Sequence, residues 1–141
     1  MRNLLTVAIL LAILSTASAG VQTPEAVTKA FAAKFPKAEK VKWSAEHSEF
    51  EAEFVLNGIK MSAHFSNSGN WTETETDIAI SELPKPAADY VAKNHPKAKI
   101  TETARIERPG TGMDVVLYEA EIKENGKETD LILTRNGVLV K

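Results

Sequence analysis

The chain has 141 residues, of which 26% are charged and none is cysteine, and its formal net charge is −2. The missing cysteines exclude disulfides, thiol catalysis and thiolate metal sites. The 17 basic residues are scattered among 19 acidic ones, so there is neither a basic stripe for nucleic acid nor a polybasic patch for a membrane surface.

Arg2, the apolar run Leu4 to Leu14 and the small residues Ala17-Ser18-Ala19 form the pattern of a secretory signal over residues 1–19. The run holds roughly a dozen residues, short of the ~20 that span a bilayer. The expected product is therefore periplasmic or secreted, without membrane insertion after cleavage. Residues 20–141 are enough for one domain that hides roughly two-thirds of its unfolded surface without disulfides.

Thr23-Pro24-Glu25 predicts a helix start, with Thr23 as cap, Pro24 in the first turn and Glu25 at the positive end of the dipole. Val27, Ala30, Phe31, Lys34 and Phe35 follow at three- and four-residue spacing, a stripe that ends before Pro36. From Lys40 the period changes to two, so that Val41, Trp43 and Ala45 face one way and Lys42, Ser44 and Glu46 the other. The next strand puts Phe50, Ala52, Phe54 and Leu56 on one face and Glu49, Glu51 and Glu53 on the other. It runs into Asn57-Gly58, the strongest short signal for a two-residue hairpin.

That turn opposes Leu56 to Ile59, Phe54 to Met61, Ala52 to Ala63 and Phe50 to Phe65, every pair apolar, while Glu53 meets Ser62 and Glu51 meets His64. After Asn67-Ser68-Gly69-Asn70, a fourth strand runs from Trp71 through Thr72, Glu73, Thr74, Glu75 and Thr76 to Asp77. With a three-residue loop, Trp71 opposes Phe65 and is buried; with two residues it faces out. The sequence leaves both open.

A second helix is expected from Ser81-Glu82-Leu83-Pro84-Lys85-Pro86, with Ala87, Tyr90, Val91 and Asn94 on its inner stripe and Pro96 beyond its end. Strands follow from about Ile100 to Glu107, from Met113 to Lys123, and through Leu131 and Leu133, and the chain closes with Val138-Leu139-Val140 after a turn at Asn136-Gly137. Phe50-Glu51-Ala52-Glu53 returns as Tyr118-Glu119-Ala120-Glu121, and Asn57-Gly58 as Asn125-Gly126. Pro36-Lys37-Ala38 returns as Pro96-Lys97-Ala98 at an offset of 60 against 68 for the hairpins, and the loop Arg108-Pro109-Gly110-Thr111-Gly112 is expected to hold the difference. The reading is an α+β fold of two tandem repeats, 23–78 and 79–141. Each is a helix followed by a four-stranded antiparallel meander, with the helices on one face of a continuous sheet. Open strand edges allow a monomer or a weak dimer.

Leu83-Pro84 with Ala88, Tyr90 and Val91, then His95-Pro96-Lys97-Ala98-Lys99-Ile100, then Tyr118-Glu119-Ala120-Glu121-Ile122 with Asn125-Gly126-Lys127-Glu128 and Asn136-Gly137, resemble the PepSY-like, β-lactamase-inhibitor-like proteins exported by bacteria. A weaker first copy runs from Val27 to Trp71. The resemblance implies helices packed on one sheet face, the other face free, and a role as inhibitor or modulator of a secreted enzyme. It transfers no catalytic residue.

The polar sheet face gathers Glu49, Glu51, Glu53, Lys60, Ser62 and His64 from the first half and Glu119, Glu121, Lys123, Glu128 and Asp130 from the second. Glu121 and Asp130 fall opposite each other, a like-charge pair that costs stability unless a cation offsets it. Read functionally, this is a docking face for a basic partner or a loose calcium site; read plainly, it is a solvated sheet face. His64 with Glu51 makes only two groups of a coordination sphere, so no metal and no cofactor is expected. No serine elbow, phosphate loop or helix-borne histidine pair is present, and the chain reads as a non-enzyme. The candidate partner-binding residues are Glu51, Glu53, His64, Trp71, Glu119, Glu121 and Asp130. The expected activity is modulation of an unidentified extracytoplasmic protein, with a small-ligand or cation binder of the cell envelope as the alternative.

Overall fold

The computed structural model describes residues 21–46 and 48–141; the expected leader at 1–19 and His47 lie outside the described residues. Two ten-residue helices and seven strands follow in the order α1 (Glu25–Lys34), β1 (Glu39–Glu46), β2 (Glu49–Leu56), β3 (Ile59–Ser66), β4 (Trp71–Asp77), α2 (Lys85–Asn94), β5 (Lys99–Arg108), β6 (Val115–Glu124) and β7 (Lys127–Thr134). A single 3-10 turn, Ile80–Glu82, precedes α2. The strands form one antiparallel sheet in chain order, β1 to β7. Among the described residues no helix is long and apolar enough to cross a membrane.

The two Asn-Gly turns hold the register. Asn57 and Gly58 have φ of 53° and 81°, and Asn125 and Gly126 have 52° and 79°, the left-handed pair whose twist matches the flanking strands. Phe54 therefore faces Met61 and Ala52 faces Ala63, as the apolar pattern requires, and in the other hairpin Glu121 faces Asp130. Between β3 and β4 the Ser66 amide bonds to the Asn70 carbonyl at 2.9 Å, which leaves a loop of three residues, and Phe65 pairs with Trp71 across a bulge. Trp71 takes the inward alternative and is half-buried against the α1 core.

Both helices pack on the same face. Val27, Phe31 and Phe35 of α1 and its end close over Ala52, Phe54, Ala63 and Phe65; Leu83, Ala87 and Val91 close over Tyr118, Ala120, Ile122, Leu131 and Leu133. Phe31 is the hub of the first cluster, with ring centroids 5.1 Å from Phe54 and 5.2 Å from Trp43, both edge-on. The sheet is continuous, but each helix covers its own cluster. Between the clusters lie buried threonines: Thr74 accepts from Trp71 Nε1 at 2.8 Å, and Thr103 donates to Ile78 O at 2.9 Å.

Four expectations are corrected. Pro24, not Thr23, occupies the cap position of α1, with no side-chain cap; the Pro24 carbonyl accepts from Val27 and Thr28, and the Thr23 hydroxyl turns back to Val21 O. Asn94 is exposed rather than on the inner stripe, with its side chain bonded to Tyr90 O. In β1, Val41 and Ala45 are exposed and only Trp43 packs on the α1 core: this is an edge strand, bulged between Glu39 and Lys42 around Lys40 at φ 55° beside Val41, while Ala45 pairs regularly with Phe50 near the strand's end. The second half has three strands, and Val138-Leu139-Val140 makes only a single bridge, Leu139 to Leu133.

The helices meet the sheet again at two glycines. A Cβ on Gly69 would lie 2.6 Å from the Ala26 carbonyl oxygen in the first turn of α1, and one on Gly137 would lie 2.4 Å from the Pro86 carbonyl oxygen in the first turn of α2. Both have φ near 80°, at 84° and 77°. Gly58 shares that conformation at 81° but has nothing within 4 Å. Gly58→Ala should therefore cost about 1 kcal/mol, the left-handed penalty alone. Gly69→Ala and Gly137→Ala should each cost about 3 kcal/mol, because a helix turn must also lift. Urea unfolding of the three variants checks this; equal losses would show that the helix contacts do not matter.

Candidate functional site on the open sheet face

Opposite the helices, register decides which side chains become neighbours. One row across the sheet reads Lys42, Glu53, Ser62, Glu75, Ile106 and Leu117, and a parallel row reads Ser44, Glu51, His64 and Glu73. Further along, Asp77, Ala104, Glu119 and Ile132 line up, as do Glu102, Glu121 and Asp130. Because β4 pairs with β5, the carboxylates of the two halves converge at the middle of the sheet.

The face is hollowed. One depression of about 530 Å³ is lined by residues that include Glu51, Glu53, Lys42, Lys60 and Ser62. A second, of about 450 Å³, is lined by Glu75, Asp77, Glu102, Glu119, Glu121 and Asp130, with Lys60 as its one basic side chain. Glu75, Asp77, Glu102 and Lys60 line both. The hydroxyl of Ser62 is buried between its neighbours Glu53 and Glu75 without a hydrogen-bond partner among the described residues.

Some of these charges are matched. His64 Nε2 lies 3.7 Å from Glu51 Oε1, the cross-strand pair the turn register predicts, and Ser44 donates to the other Glu51 oxygen at 3.1 Å. Arg108 Nε bonds to Glu73, Thr101 donates to Glu121, and Lys123 pairs with Glu128 at 2.9 Å. Glu75 and Glu119 are not matched. Burial, reinforced by Glu119, by a hydrogen bond with Glu73 and by the charges of Glu73 and Glu51, pushes Glu75 up to about 8. Burial and then the charges of Asp130, Glu73 and Glu121 raise Glu119, against which Lys141 acts.

Of the seven candidate residues, the structure places Glu51, Glu53, His64, Glu119, Glu121 and Asp130 on this face. Trp71 is separated from them. It lies on the helix side, packed on the α1 core, with Lys34 Nζ 3.6 Å from its ring centroid. Glu73, Glu75, Asp77 and Glu102 were missed as members of the site. A three-residue loop alone would have put Glu73 and Glu75 on the helix side with Trp71; the bulge at Thr72 turns them to this face, and neither that bulge nor the β4–β5 register had a turn signal to set it. Among the described residues no three His, Asp or Glu side chains converge in an arrangement that holds a metal ion.

A single antiparallel sheet with helices on one face and a hollow acidic face on the other defines an α+β protein with one covered and one open sheet face. Residues 48–141 match the family described as "Putative beta-lactamase-inhibitor-like, PepSY-like", and the chain belongs to that family. Solved structures share the fold. A "putative periplasmic" protein from Bacteroides eggerthii aligns with a TM-score of 0.74 at 18% identity, over 84% of this chain and 86% of that one. A DUF2874 family protein from Bacteroides ovatus gives 0.73 at 22% identity, over 86% and 87%. A BLIP-like protein from Bacteroides fragilis gives 0.69 at 20% identity, over 87% and 86%. No curated protein matches the chain in sequence.

The raised carboxyl of Glu75 makes stability depend on pH. Unfolded, the group titrates near 4.5; folded, near 8. Between these values the folded chain holds a proton that the unfolded chain has released, so stability falls as pH rises through the window and levels off above it. The melting temperature should drop by roughly 5 °C between pH 5 and pH 9, and Glu75→Gln should remove much of that drop while raising stability at pH 9. Calorimetric scans of both proteins across this range check the sign; a wild-type curve that rises towards pH 9 would refute it.

Proposed function

We propose that this chain is an exported, non-catalytic binding protein that modulates an extracytoplasmic protein through the open face of its sheet. One observation carries the reading: carboxylates are crowded on an uncovered face where they cost stability, with Glu75 and Glu119 raised by burial and like charge. Folding does not need them there. Charge retained against the fold's interest fits a surface that meets a basic partner, which would offset the repulsion on binding. The inhibitor-like family and the "periplasmic" name of one structural relative support export and a regulatory role. The site residues in this reading are Glu51, Glu53, His64, Glu119, Glu121 and Asp130, with Trp71 reassigned to the core.

The tandem-repeat reading is supported by the matched contacts Gly69 with Ala26 and Gly137 with Pro86, each tying a three-residue hairpin loop to the first turn of a helix. Two such units side by side double the width of the exposed face.

Crosslinking in the native cell envelope, followed by mass spectrometry, tests the modulator role. Reproducible capture of one protein through photoreactive residues at positions 53 and 121, absent with the same group at position 29 on the exposed side of α1, is the expected result. Titration calorimetry with calcium and with zinc tests the alternative. Saturable binding lost on Glu121→Ala and Asp130→Ala would make the protein a cation binder instead.

A further inference from the structure

The open face is not acidic throughout. Ile106, Leu117 and Ile132 form a buried apolar cluster on the side away from the helices, since Ile106 pairs with Glu75 and Leu117, and Ile132 pairs with Glu119. Next to this cluster apolar surface reaches solvent. Val115 lies two residues before Leu117, on the same side of β6. After β7 the chain turns back, with the Thr134 amide bonded to Val138 O at 2.9 Å and the Val140 amide to Ile132 O at 2.8 Å. Leu139 bridges Leu133, a member of the α2 core, so its neighbours Val138 and Val140 turn to the open face. Val115, Val138 and Val140 are 46%, 60% and 54% exposed, and Met113 in the adjoining loop is 79% exposed. That loop is tightly folded: a Cβ on Gly110 would lie 2.3 Å from Met113 O and 3.0 Å from Val115 Cγ2.

We propose that this aliphatic corner anchors the docking face, and that its occupant is a loop or extended segment of a partner protein in which aliphatic or aromatic side chains stand beside lysine or arginine. The inference rests on the reading of the open face as a docking surface and adds the chemistry of what docks. Apolar side chains grouped at one corner of an otherwise charged face mark an interaction surface. The depression beside them has six carboxylates and one lysine along its walls, which selects cationic neighbours for whatever fills the corner. Anchors of this kind supply most of the binding energy, while the charges orient and accelerate the encounter. A second copy docked face to face would bring the same carboxylates against each other, and an anionic membrane surface would be repelled by them.

Selection of a random peptide display library on the immobilised full chain tests this. Enriched sequences should place Lys or Arg within two or three residues of Leu, Ile, Phe or Trp. A synthetic peptide of the enriched sequence should lose at least about tenfold in affinity on Val138→Asp and on Met113→Asp, changes at exposed positions that leave the melting temperature unaltered. Peptides that crosslink to the acidic hollow but ignore both substitutions would overturn the anchor while leaving the docking face intact. Peptides that crosslink only to the helix side would overturn both. Enrichment of acidic sequences, or none at all, counts against the stated partner chemistry, and a dimer in sedimentation velocity that Val138→Asp abolishes would assign the corner to a second copy.

Discussion

Register is the constraint on which everything else in this molecule depends. In a strand the side chains alternate, so a slip of one residue would exchange the core of the protein for its open face. Two Asn-Gly turns prevent that slip, each holding two consecutive residues at positive φ, a conformation costly for most side chains. With Leu56 locked to Ile59 and Glu124 to Lys127, the apolar halves of β2, β3, β6 and β7 must all face the helices. The carboxylates are then committed to the opposite side. The acidic face is a direct consequence of the same turns that make the core.

The open face acquires its character from the join between β4 and β5. Each hairpin alone presents a few glutamates to solvent, a common arrangement for an antiparallel sheet with one wet face. Pairing β4 with β5 brings Glu75 beside Ile106 and within reach of Glu119, so that carboxylates of both halves share one hollow. Their position in that hollow shields them from water, and burial is the largest cause of the shift in both groups. Arg108 on Glu73 relieves the neighbouring row, which leaves the centre as the place where opposite charge from outside would be worth most.

Much of this was legible in the sequence, and the reasons are local. Alternation from Phe50 to Leu56 and the Asn-Gly pair are independent signals that agree, and Phe35-Pro36 and His95-Pro96 stop their helices where the chain rules require. The failures share another cause. Trp71 could not be placed until the length of its loop was known, and Glu75 could not be joined to Glu119 because the β4–β5 register is set by the packing of two halves, not by a turn. The apolar cluster of Ile106, Leu117 and Ile132 left a trace in Val115-Val116-Leu117-Tyr118 and Leu131-Ile132-Leu133, continuous runs that mark strands buried on both sides. Reading only one apolar face in those runs hid the cluster on the far side of β6 and β7.

The sheet edges bear on which surface is left for a partner. At β1 the register breaks between Glu39 and Lys42, Lys40 takes a φ of 55°, and lysines occupy both sides of Val41. A bulge with flanking lysines is a standard defence against strand addition. At β7 the returning segment already takes the backbone of Ile132 and Thr134, and the remainder of the strand carries the charged Lys127, Glu128 and Asp130. Neither edge invites an added strand, and the helix face is closed by its own core. The open face is therefore the surface left for the proposed docking role. Docking there would depend on how charge and apolar surface are distributed, so the proposed partner chemistry rests on an acidic hollow bordered by valines and not on the fold alone.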